Sequence, residues 1–151
     1  MESMADKAKR IVELYEAGFG CSQILIKLGL EARGQSNPGL VRAMSGLAGG
    51  VGSSGNLCGV LTGGACLLGL WAGNGGPGEE EHDRFFLMVD ELVEWFDMEI
   101  GRRCGGMNCA QIADCSLTLA GPLPGCCGVI LAAWDKVGEI LRKNGVQSLG
   151  R

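Results

Sequence analysis

Leu57-Cys58-Gly59-Val60-Leu61-Thr62-Gly63-Gly64-Ala65-Cys66-Leu67-Leu68-Gly69-Leu70-Trp71-Ala72 lies inside a stretch with no charged residue between Arg42 and Glu79. The segment is apolar all round, and Gly59-x-x-x-Gly63 has the spacing of a membrane packing motif. It falls short of the ~20 residues that a membrane-spanning helix needs, and glycine and alanine make up much of it. A buried central helix fits better, so membrane insertion is not expected. On that helix Gly59 and Gly63 share one face, where missing side chains let a neighbouring backbone or a cofactor approach Cys58. Each glycine costs about 1 kcal/mol relative to alanine inside a helix, so a compensating contact is expected.

Working outward, Met4, Ala8, Ile11 and Tyr15 mark one face of a first helix, ended by Gly18 and Gly20. A second runs from about Cys21 to Leu28. Pro38, suited to a first helical position, opens a third over Leu40 to Ala48, which Gly49-Gly50 stops. Beyond the central helix, Gly73 to Gly78 reads as a connector. Phe85, Met88, Leu92 and Phe96 then recur at the spacing of a long amphipathic helix, with Glu79, Glu80, Glu81 and Asp83 near its positive end. Asn108 to Asp114 forms one or two turns. Ile130, Ala133, Trp134, Val137 and Leu141 define the last helix, with a frayed tail from Asn144. No segment alternates with β-branched enrichment. The expected fold is all-α, a compact bundle of about five to seven helices around a glycine-rich central helix. It forms a single domain over 1–151, with a core from about 8 to 141.

At 151 residues the chain can bury roughly 68–70% of its unfolded surface, enough for a core without cross-links. A net charge of −4 and a pI near 5.0 exclude a nucleic-acid partner, which needs a basic surface to displace counterions. The charged stretch from Met1 to Arg10 holds no apolar secretory segment, so the expected compartment is cytoplasmic. Thiols are reduced there, and eight cysteines then point to metal binding or catalysis rather than to disulfide staples. The uncharged run from Ala43 to Gly78 exceeds what one small core covers, and a homodimer is the simplest way to bury the surplus.

Four of the cysteines stand where helices are expected to begin: Gly20-Cys21, Asn56-Leu57-Cys58 with Asn56 as cap, Asn108-Cys109 and Gly125-Cys126. A helix N-terminus can pull a thiol from a pKa of about 8.5 towards ~3.5–7.5. The thiolate so favoured is both a nucleophile and a metal ligand. Two of the sites echo each other, Gly20-Cys21-Ser22-Gln23-Ile24-Leu25 against Asn108-Cys109-Ala110-Gln111-Ile112-Ala113. No Cys-x-x-Cys occurs, which removes thioredoxin-like pairs, ordinary zinc knuckles and covalent c-type haem. Cys104-x4-Cys109 matches the first interval of a plant-type ferredoxin, but Cys115 stands too far on to continue the pattern. Any cluster must therefore draw ligands from distant segments, and the same convergence could instead form two redox-active thiol pairs. The neighbours Cys126-Cys127 add a constrained disulfide as an option. Cys66, Cys104 and Cys115 read as packing residues, Cys66 lining the site without acting.

Other groups offer less. Glu79-x-x-His82 is half of a di-iron motif with no second copy, so His82, the only histidine, is expected on the surface in the acidic first turn of the long helix. No Gly-x-Ser-x-Gly or Walker-type loop is present. Trp71, Trp95 and Trp134 fall on apolar helix faces and read as core.

At its cysteines the chain resembles the redox-active family named for a C…GCAxxG…C…C pattern, small bacterial and archaeal proteins with four signature cysteines. Phe19-Gly20-Cys21-Ser22-Gln23 is close to the family's Cys-Ala-Gln form. Cys58-Gly59-Val60-Leu61-Thr62-Gly63 is the centre, with Val60 in place of the usual alanine. Cys109, in Gly106-Met107-Asn108-Cys109, and Cys126 stand third and fourth, and Cys127 competes for the last place. The similarity runs from Ala8 to Leu141. It implies a redox site of Cys21, Cys58, Cys109 and Cys126, acting as thiols or as metal ligands, with Gly59 and Gly63 beside the cofactor. Similar domains in split-Soret cytochromes hold an iron–sulfur centre beside haem, which implies an iron–sulfur cluster here without haem. An iron–sulfur electron carrier with an unidentified redox partner ranks first. A thiol–disulfide oxidoreductase is the alternative, and a zinc-stabilised binding or scaffold protein the third reading.

Overall fold

The computed structural model describes residues 2–115 and 122–146, and their architecture is all-α. Seven α-helices of five residues or more are present among them: α1 Met4–Glu16, α2 Cys21–Ala32, α3 Pro38–Met44, α4 Gly59–Ala72, α5 Phe85–Phe96, α6 Cys109–Ala113 and α7 Cys127–Lys143. The one β contact among the described residues is an antiparallel bridge between Leu57 and Asn108. No helix among them is long and apolar enough to cross a membrane.

Local chemistry sets the helix starts. Ser3 and Asp6 form a reciprocal capping box at α1, each accepting the other's backbone N–H at 3.1 Å. Asn37 accepts the Leu40 N–H at 3.0 Å ahead of α3, with Pro38 in the first turn as expected. The α3 segment closes in a 3-10 turn over Ser45–Leu47, and Gly49 and Gly50 stop it with φ of +76° and +73°. That left-handed pair is available to glycine at little cost.

Several boundaries differ from expectation. Helix α2 runs on to Ala32, because Leu30 is buried and extends its core face past Leu28. The long amphipathic helix starts only at Phe85 and continues through a π turn, Asp97–Gly101, and a short turn, Arg102–Cys104. Residues 79–83 thus belong to the connector. His82 is half-buried there, with Nε2 3.3 Å from the Asn144 carbonyl and Nδ1 accepting the Arg84 N–H at 3.1 Å. It ties the connector to the end of α7 instead of standing free in a first helical turn. Asn144 is held as well, its side-chain amide donating to the Ile140 carbonyl at 2.8 Å, and the Val146 N–H reaches the Leu141 carbonyl at 2.9 Å. The fraying expected from Asn144 is absent up to Val146, and residues 147–151 lie outside the described residues.

The core gathers on α4, which packs against α2, α5 and α7. Val60, Leu61, Leu67 and Leu68 meet Ile24, Leu25 and Leu28 on one side, and Met88, Leu92, Phe96 and Val137 on the others. The apolar run is thus largely covered within one chain, with Val51 and Leu57 its exposed large residues. Trp134 is buried as expected, with the Lys7 ammonium 4.7 Å from its ring centroid.

Close approach explains the glycines of α4. A Cβ on Gly63 would stand 2.9 Å from Ser22 Cα, and Ser22 is itself fixed by donating to the Met44 carbonyl at 2.8 Å. At Gly69 a Cβ would meet only the Phe85 ring edge, at 3.7 Å. Gly63→Ala should therefore force α2 and α4 apart and cost about 1–3 kcal/mol by overpacking. Gly69→Ala should be neutral or stabilise by up to ~1 kcal/mol through helix propensity. Urea unfolding of both variants checks the pair, and equal effects would contradict the close-packing account of Gly63.

Candidate cysteine centre

The four singled-out cysteines all stand at helix starts. Cys21 is the first residue of α2 and Cys109 of α6, whereas Cys58 and Cys126 are the N-cap residues of α4 and α7. Asn56 is not the cap of α4, contrary to expectation. Its side chain donates to Ser54 Oγ at 3.0 Å, and its carbonyl accepts the Cys109 N–H at 2.6 Å.

The echoed sequences fold into one device. At α2 the Gly20 N–H donates to Gln23 Oε1 at 3.0 Å, and at α6 the Asn108 N–H donates to Gln111 Oε1 at 3.1 Å. Each glutamine then donates from Nε2 to a carbonyl of another segment, Gln23 to Val41 of α3 at 3.1 Å and Gln111 to Gly105 of the preceding loop at 2.8 Å. Both residues pin a helix start to a neighbouring segment and so fix the cysteine in between. Sequence reasoning passed over these glutamines, although a glutamine three positions after the cap is a recognised capping signal.

Packing brings the starts together. A Cβ on Gly59 would lie 2.6 Å from Cys21 Sγ, so the missing side chain after Cys58 is the space that Cys21 occupies. A Cβ on Gly50 would fall 2.8 Å from Cys109 Cβ and closer still to the backbone of Asn56. The Cys58 N–H donates to the Met107 carbonyl at 3.0 Å, which lays the α4 start against the loop that carries Cys109. Behind Cys126, Gly125 turns with φ of +54° over the Tyr15 ring, where no side chain would fit. The loop from Gly49 holds Val51 at φ +66°, a strained conformation for an exposed β-branched residue.

Burial decides the ionisation of these thiols. Cys58, 3% exposed, is pushed up to about 12, chiefly by burial, with Cys21 and Cys126 adding to the rise. The backbone N–H groups of Val60 and Leu61 pull the other way. Cys21 is raised by burial and then by Cys126 and Cys109, against the N–H groups of Ser22 and Gly49. Cys126 is raised by burial and by Cys109. Helix-start placement therefore does not by itself make reactive thiolates of Cys21, Cys58 and Cys126, because desolvation outweighs the dipole. Cys126 is within electrostatic range of Cys21, Cys58 and Cys109. Cys127 is fully buried and is pushed up to about 11 mainly by burial, with the charges of Cys126 and Glu16 adding to the rise. It packs into the core.

The remaining cysteines divide. Cys66 is exposed. Cys104 and Cys115, expected as buried packing residues, form a disulfide with their Cα atoms 5.4 Å apart, and both are half-exposed. The expectation that no cysteine acts as a staple is thus corrected at this pair, where a tight loop brings two surface positions together. Among the described residues, no three Cys, His, Asp or Glu side chains are gathered closely enough to hold one metal ion.

One further property concerns charge. No acidic residue occupies the first turn of α2, α4, α6 or α7, as is also true of α3 and α5, whereas α1 carries Asp6 in that position. The N–H groups at the thiol-bearing starts therefore lack a carboxylate of their own.

A family model described as "Putative redox-active protein (C_GCAxxG_C_C)" matches residues 19–140, a span that holds all eight cysteines. No curated protein and no solved structure matches the chain.

The raised thiols give stability a defined pH dependence. A thiol whose pKa is higher folded than unfolded contributes stability that is complete below its unfolded value and lost as pH rises through the folded one. For Cys58 that window runs from 9.0 to about 12. The urea midpoint should hold up to about pH 9 and then fall, each such thiol adding up to ~1.4 kcal/mol per pH unit. Cys58→Ser removes its share and should flatten the fall. Anaerobic unfolding at stepped pH tests this, and superimposable profiles for parent and variant would contradict it.

Proposed function

The chain belongs to this C_GCAxxG_C_C family, and on that footing we propose that it is an electron carrier in which Cys21, Cys58, Cys109 and Cys126 hold an iron–sulfur cluster. The observation that carries the reading is the meeting of four thiol-bearing helix starts whose first turns hold no acidic residue. Four thiolates around a cluster leave a negative site, and the positive ends of the helices that carry them offset that charge. The donor chemistry fits, because soft thiolates suit iron–sulfur centres.

Bound there, a cluster supplies one-electron transfer. The chain's own groups prepare the place for it. The N–H groups of Val60 and Leu61 at Cys58, and of Ser22 and Gly49 at Cys21, stabilise negative charge on sulfur. Gly59 keeps the space beside Cys21 clear, and burial of Cys58 limits water. Loading must displace protons from thiols that burial keeps neutral, so uptake should be slower at low pH.

A thiol–disulfide oxidoreductase is the second reading, favoured by the Cys104–Cys115 disulfide in the loop that carries Cys109. It ranks lower because buried, neutral thiols are poor nucleophiles, and Cys21, Cys58 and Cys126 are all raised.

Anaerobic reconstitution with iron and sulfide separates the two. The parent and Cys66→Ser should gain visible charge-transfer absorption and bind iron and sulfide in matching amounts. Cys58→Ser, nearly isosteric, should retain its helix content and lose both signals. Iron uptake by Cys58→Ser equal to the parent's would overturn the cluster assignment.

A further inference from the structure

The Cys104–Cys115 disulfide lies outside the four-thiol centre, yet the contacts that place part of that centre run through the loop it closes. Its ends are 11 residues apart, and both cysteines are half-exposed. Between them Gly105 and Gly106 turn the chain with φ of +85° and +154°. The Met107 carbonyl accepts the Cys58 N–H, Asn108 bridges to Leu57, and the Cys109 N–H reaches the Asn56 carbonyl at 2.6 Å. The Ala110 N–H reaches the Gly55 carbonyl at 3.2 Å. Only Ile112 of α6 is buried in the core. The first end of the bridge, by contrast, continues directly from the well-anchored Phe96 and Ile100 of α5 and its π turn. Cys115 follows α6 directly, so the bond fastens the far end of a weakly anchored segment to a firm one.

We propose that Cys104–Cys115 is a redox latch, opened by a dithiol reductant, that controls how firmly the Cys109 loop is held against Asn56–Cys58. The proposal rests on Cys109 belonging to the centre described above. In the opening step a thiolate of the dithiol attacks one sulfur of the bridge. A mixed disulfide forms and the other cysteine leaves as a thiolate that takes up a proton. The reductant's second thiol then resolves the mixed disulfide, releasing the second cysteine and closing the reductant's own disulfide. Two electrons and two protons pass from the dithiol to the pair. Partial exposure gives a reductant access to the bridge, whereas Cys58 and Cys127 are buried away from it. With the bond open, the segment keeps Ile112, the Met107 side chain against the core, the Gln111 hydrogen bonds and the backbone hydrogen bonds to residues 55–58, and no covalent tie at its far end. Such a segment opens locally more often than the helices around it.

The test uses the full-length, metal-free protein in anaerobic buffers with set ratios of reduced to oxidised dithiothreitol. Alkylation and peptide mass spectrometry report each cysteine. Reduction of the pair should raise the alkylation rate of Cys109, and the amide exchange rates of Cys58, Cys109 and Ala110, by at least ~10-fold. The alkylation rate of Cys66 and the overall helix content should not change. The double variant Cys104→Ser/Cys115→Ser should behave as the reduced parent. Should it fail to fold, titration of the parent alone still decides. Cys104 and Cys115 open to alkylation under every oxidising ratio, or a reduced pair with Cys109 and the three amides unmoved, would overturn the latch. None of these readouts needs a cluster, so failed iron uptake bears on the proposed function alone.

Discussion

Where Gly59 and Gly63 face Cys21 and Ser22, α4 and α2 approach so closely that a single added carbon on either glycine would overlap its neighbour. This contact sets the position of much else. It places the start of α4 beside the start of α2, and so two cysteines together. Through Ser22 and its bond to the Met44 carbonyl, it also locates the end of α3 and the strained turn at Gly49–Val51 that follows. That turn in turn receives Asn56 and Cys109. The cost of glycine inside a helix is met by packing that a larger residue would prevent. A helix without a polar face then needs cover on several sides, which α2, α5 and α7 provide.

At the centre two electrostatic effects oppose each other. Helix starts favour thiolates, but the same packing that gathers the sulfurs removes water from them, and burial dominates. Cys21 and Cys58 are thus held as neutral thiols beside backbone N–H groups that suit a negative charge. In the iron–sulfur reading proposed above, a cluster taking the place of the protons would relieve this mismatch. Cys127, one residue from Cys126, is buried in the core.

Much of this was legible in the sequence because its periodicities are strong. The all-α class, the central helix, the amphipathic Phe85–Phe96 segment and the helix-start placement of Cys21, Cys58, Cys109 and Cys126 follow from local pattern, capping residues and glycine punctuation. What escaped depends on contacts between distant segments. The Cys104–Cys115 bond requires knowing that the chain doubles back over Gly105 and Gly106, which no spacing rule supplies. His82 looked like a surface residue because its partner, Asn144, is remote in sequence. The dominance of burial over the dipole is likewise invisible in a linear chain, since the water excluded from Cys58 is excluded by other elements. Asn56 was misread for a related reason: its residue type suits a cap, but its carbonyl is engaged by Cys109 from another segment.

The absence of acidic residues from the first turns of α2, α4 and α7 has a consequence for how the molecule responds to its surroundings. In a chain of net charge −4, these helix starts contribute the positive ends of aligned peptide groups, a source of field distinct from lysine or arginine. Peptide dipoles do not titrate, cannot be acetylated and do not swing away on a flexible stem. The resulting field is a fixed property of the backbone, constant across the pH range in which the helices persist. It weakens only if a first turn unwinds. Electrostatic character at this pole is therefore inherited from fold integrity, and surface charge substitutions elsewhere can retune its reach in solution without erasing its source.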